Sequence, residues 1–215
     1  MQVAEVILAR TVWLLNVKLL NAAGLAWGPI LSSFKDRYKF LRYPTTPAEF
    51  DLTKGVQYGG GEFMFNGKQV GVGITMHSDG LVADSLVSTE TSDAFLEDLA
   101  GWITGNFGFR PAQDITTRVI YDSQLEFKSD IDLTKSFDKI TAFSAILREF
   151  SGNPTEESSG FIFSCDPGLP NPTFPTFTFE RRAGAKFLEK KYFSKAILPT
   201  RKHIQILEQF ERMFS

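Results

Sequence analysis

His77, Ser78 and Asp79 follow one another along the chain, and by residue type they supply a base, a nucleophile and an acid. Adjacency argues against a catalytic group, because successive strand residues point to opposite faces and functional triads converge from distant segments. The run reads as a turn at a strand end. Cys165, the single cysteine, is a second candidate nucleophile, with His77 or His203 as its base if folding brought them together. Its place after the apolar run Phe161-Ile162-Phe163 suits a buried structural thiol instead. With two histidines and one cysteine in the whole chain, zinc sites built on paired histidines or cysteines are excluded unless carboxylates complete them.

Carboxylates are more plentiful. Asp84, Glu90, Asp93, Glu97 and Asp98 could serve a Mg²⁺ ion or an acid–base pair, provided that Asp84 on its strand faces the start of the next helix. Glu97 and Asp98 fall opposite Phe95 and Trp102 on a helical wheel, which marks a solvated side. Gly59, Gly60 and Gly61, with Gly71 and Gly73, make a glycine-rich region, but no lysine follows at P-loop spacing and no helix opens after them in the dinucleotide pattern. A hairpin with close backbone approach accounts for them. No catalytic motif emerges, so the expectation leans away from an enzyme; His77, Asp84 and Cys165 are the residues to check, and no cofactor or metal is called for.

The formal net charge is only -2, which offers no global basic field for nucleic acid. Its distribution is uneven: residues 79–138 are rich in acids, and residues 180–215 are rich in bases. Arg181, Arg182, Lys190 and Lys191 are interleaved with Phe179, Phe187, Tyr192 and Phe193, the ingredients of a single-stranded nucleic-acid platform. The known RNA-binding patterns are missing, and strand alternation would take most of those rings into a core. These four cations therefore stand as candidate contacts to an acidic protein surface, in another copy or a partner, and nucleic acid as a lesser reading.

The elements that must position these residues are legible in part. Residues 3–23 read as a strand buried on both faces or as a helix, with β-branched content favouring the strand. Gly28-Pro29 opens a helix with an apolar stripe of Ile30, Phe34, Tyr38 and Leu41. Asn66-Gly67 is a strong hairpin signal between two alternating runs, and Ser78-Asp79-Gly80 is a second turn leading into a strand over 81–87. Ser92 and Asp93 offer N-cap chemistry to a helix carrying Phe95, Leu96, Leu99, Trp102 and Ile103. Residues 117–128 alternate apolar and polar, the habit of an antiparallel strand. A helix over 133–150 follows, with Asp132 as a cap and Phe137, Ile140, Ser144 and Leu147 on its buried side. A short strand over 161–163 leads to a proline-rich connection over 166–175. A hairpin over 176–182 and 186–197 and a final helix burying Ile204, Leu207, Phe210 and Phe214 complete the chain.

These patterns predict a single α+β domain over residues 1–215, a largely antiparallel sheet with about four amphipathic helices. Phe appears 21 times and hydrophobic residues make up 43% of the chain, ample for a packed core without disulfides. One cysteine and no secretory pattern suggest a reducing, cytoplasmic setting, and charges within the most apolar stretch argue against a membrane span. The functional expectation is a noncatalytic interaction or assembly subunit with a protein partner or a homo-oligomer. The alternatives are a small enzyme or ligand-binding protein with a carboxylate-lined pocket, and an anion or single-stranded nucleic-acid binder acting through the basic C-terminal segment.

Overall fold

A computed structural model describes residues 1–21, 24–25, 27–134, 138–151, 159–164 and 175–213. Cys165, Phe137, Phe214 and the proline-rich stretch up to residue 174 lie outside the described residues. The strands are β1 (Gln2–Leu14), β2 (Val56–Phe65), β3 (Lys68–His77), β4 (Gly80–Ser85), β5 (Arg118–Lys128), β6 (Gly160–Ser164), β7 (Pro175–Arg181) and β8 (Lys191–Ala196). The helices are α1 (Val17–Leu20), α2 (Trp27–Tyr38), α3 (Thr89–Phe107), α4 (Asp138–Ser151) and α5 (Thr200–Arg212). The strands form one antiparallel eight-stranded sheet in the order β2-β3-β4-β1-β5-β8-β7-β6, so the fold is α+β. Residues 3–14 are strand, and the ambiguous stretch ends in the one-turn helix α1. No helix among the described residues is long and apolar enough to cross a membrane.

The chain packs as two compact units, residues 8–123 with 198–200 and residues 1–7 with 124–197 and 201–215. We call them the meander unit and the hairpin unit. In the meander unit Asn66 and Gly67 take left-handed φ values of 50° and 75°, the two-residue turn that matches strand twist, and they set the register Phe65 opposite Lys68. The β3–β4 turn places His77 opposite Gly80 and Gly73 opposite Asp84, and β1 continues the row with Arg10 opposite Asp84. Alternation then sends Val72, Ile74, Met76, Leu81 and Ala83 into a core shared with Ile30, Phe34 and Tyr38 of α2 and Phe95, Leu96 and Leu99 of α3. Phe95 is wholly buried, with Tyr38, Phe63 and Phe40 ring centroids at 5.0, 5.6 and 6.5 Å.

Three boundaries in this unit differ from the sequence reading, the first being that the strand expected over 81–87 ends at Ser85. α3 starts earlier than expected: Ser88, not Ser92 or Asp93, is its cap, its Oγ accepting the Thr91 N–H at 3.2 Å. β4 ends at Ser85, so Ser88 is the side chain placed to take the first free helix donor; Ser92 is instead buried one turn in, 2.8 Å from Thr11 Oγ1. α2 ends at Tyr38, with Lys39 at φ 51°, so Leu41 falls outside the helical stripe and is 81% exposed.

The hairpin unit is built on the β6–β7 and β7–β8 ladders. Phe161 stacks on Phe179 at 4.9 Å, and Phe179 on Tyr192 at 5.0 Å. Leu125, Phe127, Leu133, Phe179, Tyr192 and Leu207 form its buried apolar cluster. Asp132 does not cap a helix, since Leu133 and Thr134 after it form a turn. Its carboxylate closes a local turn on Thr134 (3.2 Å from N–H, 2.9 Å from Oγ1) and takes an arginine from β7. Residues 186–190, read as strand, form a 3-10 turn, because Glu189 accepts the Lys186 N–H at 3.1 Å and folds the segment back on itself. On α4, Ser144 is buried as expected, whereas Leu147 is exposed.

Candidate functional site

In the meander unit, the positions that alternate with the core line the other side of the sheet, and there a cavity of about 480 Å³ opens. Small-ligand sites commonly span about 300 to 1,000 Å³. Gln57, Thr75, Gly71, Gly73, Asp84, Leu86 and Leu8 belong to these alternating positions, and Gly59, Gly60 and Arg42 complete one wall. The depression exists because glycines stand where a strand would carry side chains. A Cβ on Gly71 would meet nothing within 4 Å, so that space is open. Gly60 (φ 67°) sits in the bulge between Tyr58 and Gly61, where the strand slips its alternation; a Cβ on Gly61 would lie 2.4 Å from the Phe40 ring. The hairpin reading of these glycines holds, but close backbone approach is found only at Gly73, 3.4 Å from the Tyr58 carbonyl; side chains crowd Gly59, Gly60 and Gly61, and Gly71 is open.

Two charged side chains line the cavity, and they differ in kind. Asp84 is neutralised by Arg10, which donates from Nε at 2.7 Å and Nη2 at 2.9 Å. Those hydrogen bonds raise the Arg10 pKa further above its ordinary value. Arg42 is held by its backbone, which exchanges both hydrogen bonds with Gly59 at 2.9 and 3.0 Å. Its guanidinium lies against Gly59, where a Cβ would come 2.9 Å from Nη2, and it makes no side-chain hydrogen bond or ion pair among the described residues. Gln57 and Thr75 likewise have uncommitted side chains among the described residues. Leu86 and Val87 form an exposed apolar lip.

The sequence-derived candidates do not converge. His77 and Asp84 share a sheet face but stand four residues apart along the ladder, roughly 13 Å at strand rise. Asp84 does not meet the α3 carboxylates in a metal cluster: among the described residues no group of three or more His, Cys, Asp or Glu side chains could hold an ion. Asp93 accepts from Trp13 Nε1 at 3.1 Å and from the Tyr121 hydroxyl at 3.3 Å. Asp98, expected on a solvated side, accepts from Arg37 at 2.9 Å and from the Tyr38 hydroxyl at 2.6 Å. Burial, and then that bond, push the Tyr38 phenol well above its ordinary pKa.

The basic segment is occupied within its own unit. Arg181 is buried, donates to both Asp132 oxygens at 2.8 and 2.9 Å and lies 4.5 Å from the Phe187 ring centroid. Arg182 pairs with Glu126 at 2.7 Å, Lys191 with Glu189 at 3.4 Å, and Lys190 donates to the Asp130 carbonyl. Burial opposes the Asp132 carboxylate, but the Arg181 and Thr134 hydrogen bonds outweigh it and hold its pKa below the ordinary value.

One nucleophile–base contact escaped the sequence reading. Ser194 Oγ lies 2.9 Å from His203 Nε2, both residues fully buried. The Ser194 hydroxyl donates to the Thr178 carbonyl at 2.8 Å, so the histidine supplies the other proton and cannot accept from the serine. The contact ties α5 to β8 and does not activate a nucleophile. Its only signal in the sequence was a histidine one turn before Leu207 on an apolar stripe. Arg42 carried no signal at all, lying in an irregular stretch outside any motif.

A scan against protein-family models finds no match, and no curated protein is similar to the chain at a significant level.

Proposed function

We propose that the chain is a noncatalytic assembly subunit that joins a second copy of itself through the hairpin unit. The observation that carries this reading is β6. Among the described residues it stands at the end of the strand order and its one ladder is with β7, and its sequence Gly-Phe-Ile-Phe-Ser contains no charge and no proline. Ile162 is 64% exposed and Phe163 58%. Edge strands are ordinarily blunted by charge, proline or cover, and an uncharged apolar strand at the end of a sheet is a template for another strand. Antiparallel pairing of β6 with β6 of a second copy satisfies both edges with one two-fold operation. On α4 of the same unit, Phe143, Ile146 and Leu147 make an exposed stripe at helical spacing, which adds to the apolar surface this unit presents.

The pairs made by Arg181, Arg182, Lys190 and Lys191 favour this apolar form of assembly over one driven by the basic segment. Sedimentation at low and high ionic strength tests it. The expected result is a dimer at tens of micromolar that salt barely changes, that survives Lys190→Glu with Lys191→Glu, and that Ile162→Lys converts to a folded monomer. A parent that is monomeric at every salt concentration would overturn the proposal, and so would a dimer indifferent to Ile162→Lys.

A further inference from the structure

We infer that the glycine-floored cavity of the meander unit is a binding site for a small planar organic anion, a function separate from assembly and resting on different residues. Three observations carry it. The first is the cavity itself, about 480 Å³, large enough for a ring system of two or three fused rings' dimensions or a comparable flat body. The second is Arg42. A guanidinium offers a planar fork of donors that matches a carboxylate or phosphate, and this one has no protein acceptor among the described residues. Asp84 does not compete for it, because both Asp84 oxygens already accept from Arg10. The site therefore holds one uncompensated positive charge, and an anion completes it.

The third observation sets the shape of the rest of the ligand. Gly71 and Gly73 present bare peptide planes as the floor, Leu8, Leu86 and Val87 supply apolar contact, and Gln57 and Thr75 bring uncommitted polar groups. A flat apolar body lies on such a floor where a branched or globular one does not. The backbone also fixes the cation: Arg42 and Gly59 exchange two main-chain hydrogen bonds, and Gly59 leaves just enough room for the guanidinium against the strand. Carboxylate and phosphate esters share the chemistry that Arg42 reads, and the experiment separates them.

The test titrates 2-naphthoate, 2-naphthyl phosphate and uncharged 2-naphthalenemethanol into the full chain, following amide shifts by NMR. Either anion is expected to saturate with shifts at Gln57, Gly71, Gly73 and Thr75, and the tighter of the two identifies the oxyanion. Gly71→Val is the decisive variant, because its new side chain enters open space on a strand whose backbone tolerates it: folding should be unchanged while binding is lost. Arg42→Gln should weaken the anions about tenfold or more and leave the alcohol unaffected. Gly59→Ala, which crowds the guanidinium without filling the floor, should weaken them in the same direction and decides the matter if Gly71→Val fails to fold. No saturable binding of either anion would overturn the inference. Equal binding of the alcohol, or full binding by folded Gly71→Val, would do the same. Because none of these variants touches β6, a failed assembly test leaves this result standing, and the reverse also holds.

Discussion

The two units differ in what they take inside. In the meander unit Phe34, Tyr38, Phe40, Tyr58, Phe63 and Phe95 make a continuous set of ring contacts, the buried polar groups are uncharged hydroxyls such as Thr11, Thr89, Ser92 and Thr200, and the charged groups Asp84 and Arg42 face a groove. In the hairpin unit an ion pair, Arg181 with Asp132, and a hydroxyl–imidazole contact, Ser194 with His203, are taken inside, while Ile162, Phe163, Leu188, Phe143 and Ile146 are left out. Apolar packing is forgiving of shape and gives stability; a buried ion pair contributes little net stability but is costly to break once formed. On the two proposals above, the meander unit keeps a fixed face for a small ligand and the hairpin unit offers apolar surface to a second copy.

Substitutions can break this contrast. The largest effect is expected from Phe95→Ala, which opens a cavity at the centre of the ring cluster and should cost about 3 to 5 kcal/mol in denaturant unfolding. Trp102 is only partly buried against the same cluster, so Trp102→Ala should cost less, although both lie on one helical stripe. Trp13 and Trp102 both belong to the meander unit. Equal losses for the two variants would show that the rings of α3 act as one layer without a centre.

Next comes Asp132→Asn, which removes the carboxylate charge that both guanidinium bonds from buried Arg181 reach and should cost about 3 kcal/mol at neutral pH. The Asp132 pKa is lowered in the folded state, so its contribution is present above the unfolded carboxylate value of about 4 and is lost as pH falls through the folded value. The difference between parent and variant should therefore shrink below about pH 4. A difference that stays constant down to pH 2 would mean that Asp132 acts through its Thr134 turn and not through the ion pair.

Smaller effects sharpen the boundaries. Ser88→Ala removes the α3 cap and should cost about 1 kcal/mol, whereas Asp93→Ala should not behave as a cap deletion, its carboxylate serving Trp13 and Tyr121. Least of all is expected from Lys39→Met. Its pair with Glu62 is solvent-exposed, and the unfolding midpoint should move by no more than about 0.5 kcal/mol equivalent.

What could be read from the sequence alone was local. Asn66-Gly67 dictates its turn because two successive left-handed residues are cheap only for such types, and the alternation of residues 117–128 announces a half-buried strand before any partner is known, although Val119 near its start is 40% exposed. The α3 stripe is visible for the same reason, since every residue that defines it lies within two turns of the next. The antiparallel α+β class follows from these short-range signals together. What lay beyond the sequence was long-range. Ser88 was passed over because capping depends on where the preceding strand stops. Asp84 and Arg10 are 74 residues apart, and only the register of β1 on β4 makes them a pair. Arg181, Arg182, Lys190 and Lys191 form a basic run in the sequence, but folding sets the carboxylates of Asp132 and Glu126, 49 and 56 residues away, against the two arginines. Arg42 is the reverse case: nothing near it in sequence marks it, and it gains meaning only because a bulge at Gly60 and bare strand at Gly71 and Gly73 hollow out the surface beside it. Local propensity falls off within a few residues. Charge compensation and cavity shape are set by partners brought together by folding, and so only the folded chain decides them.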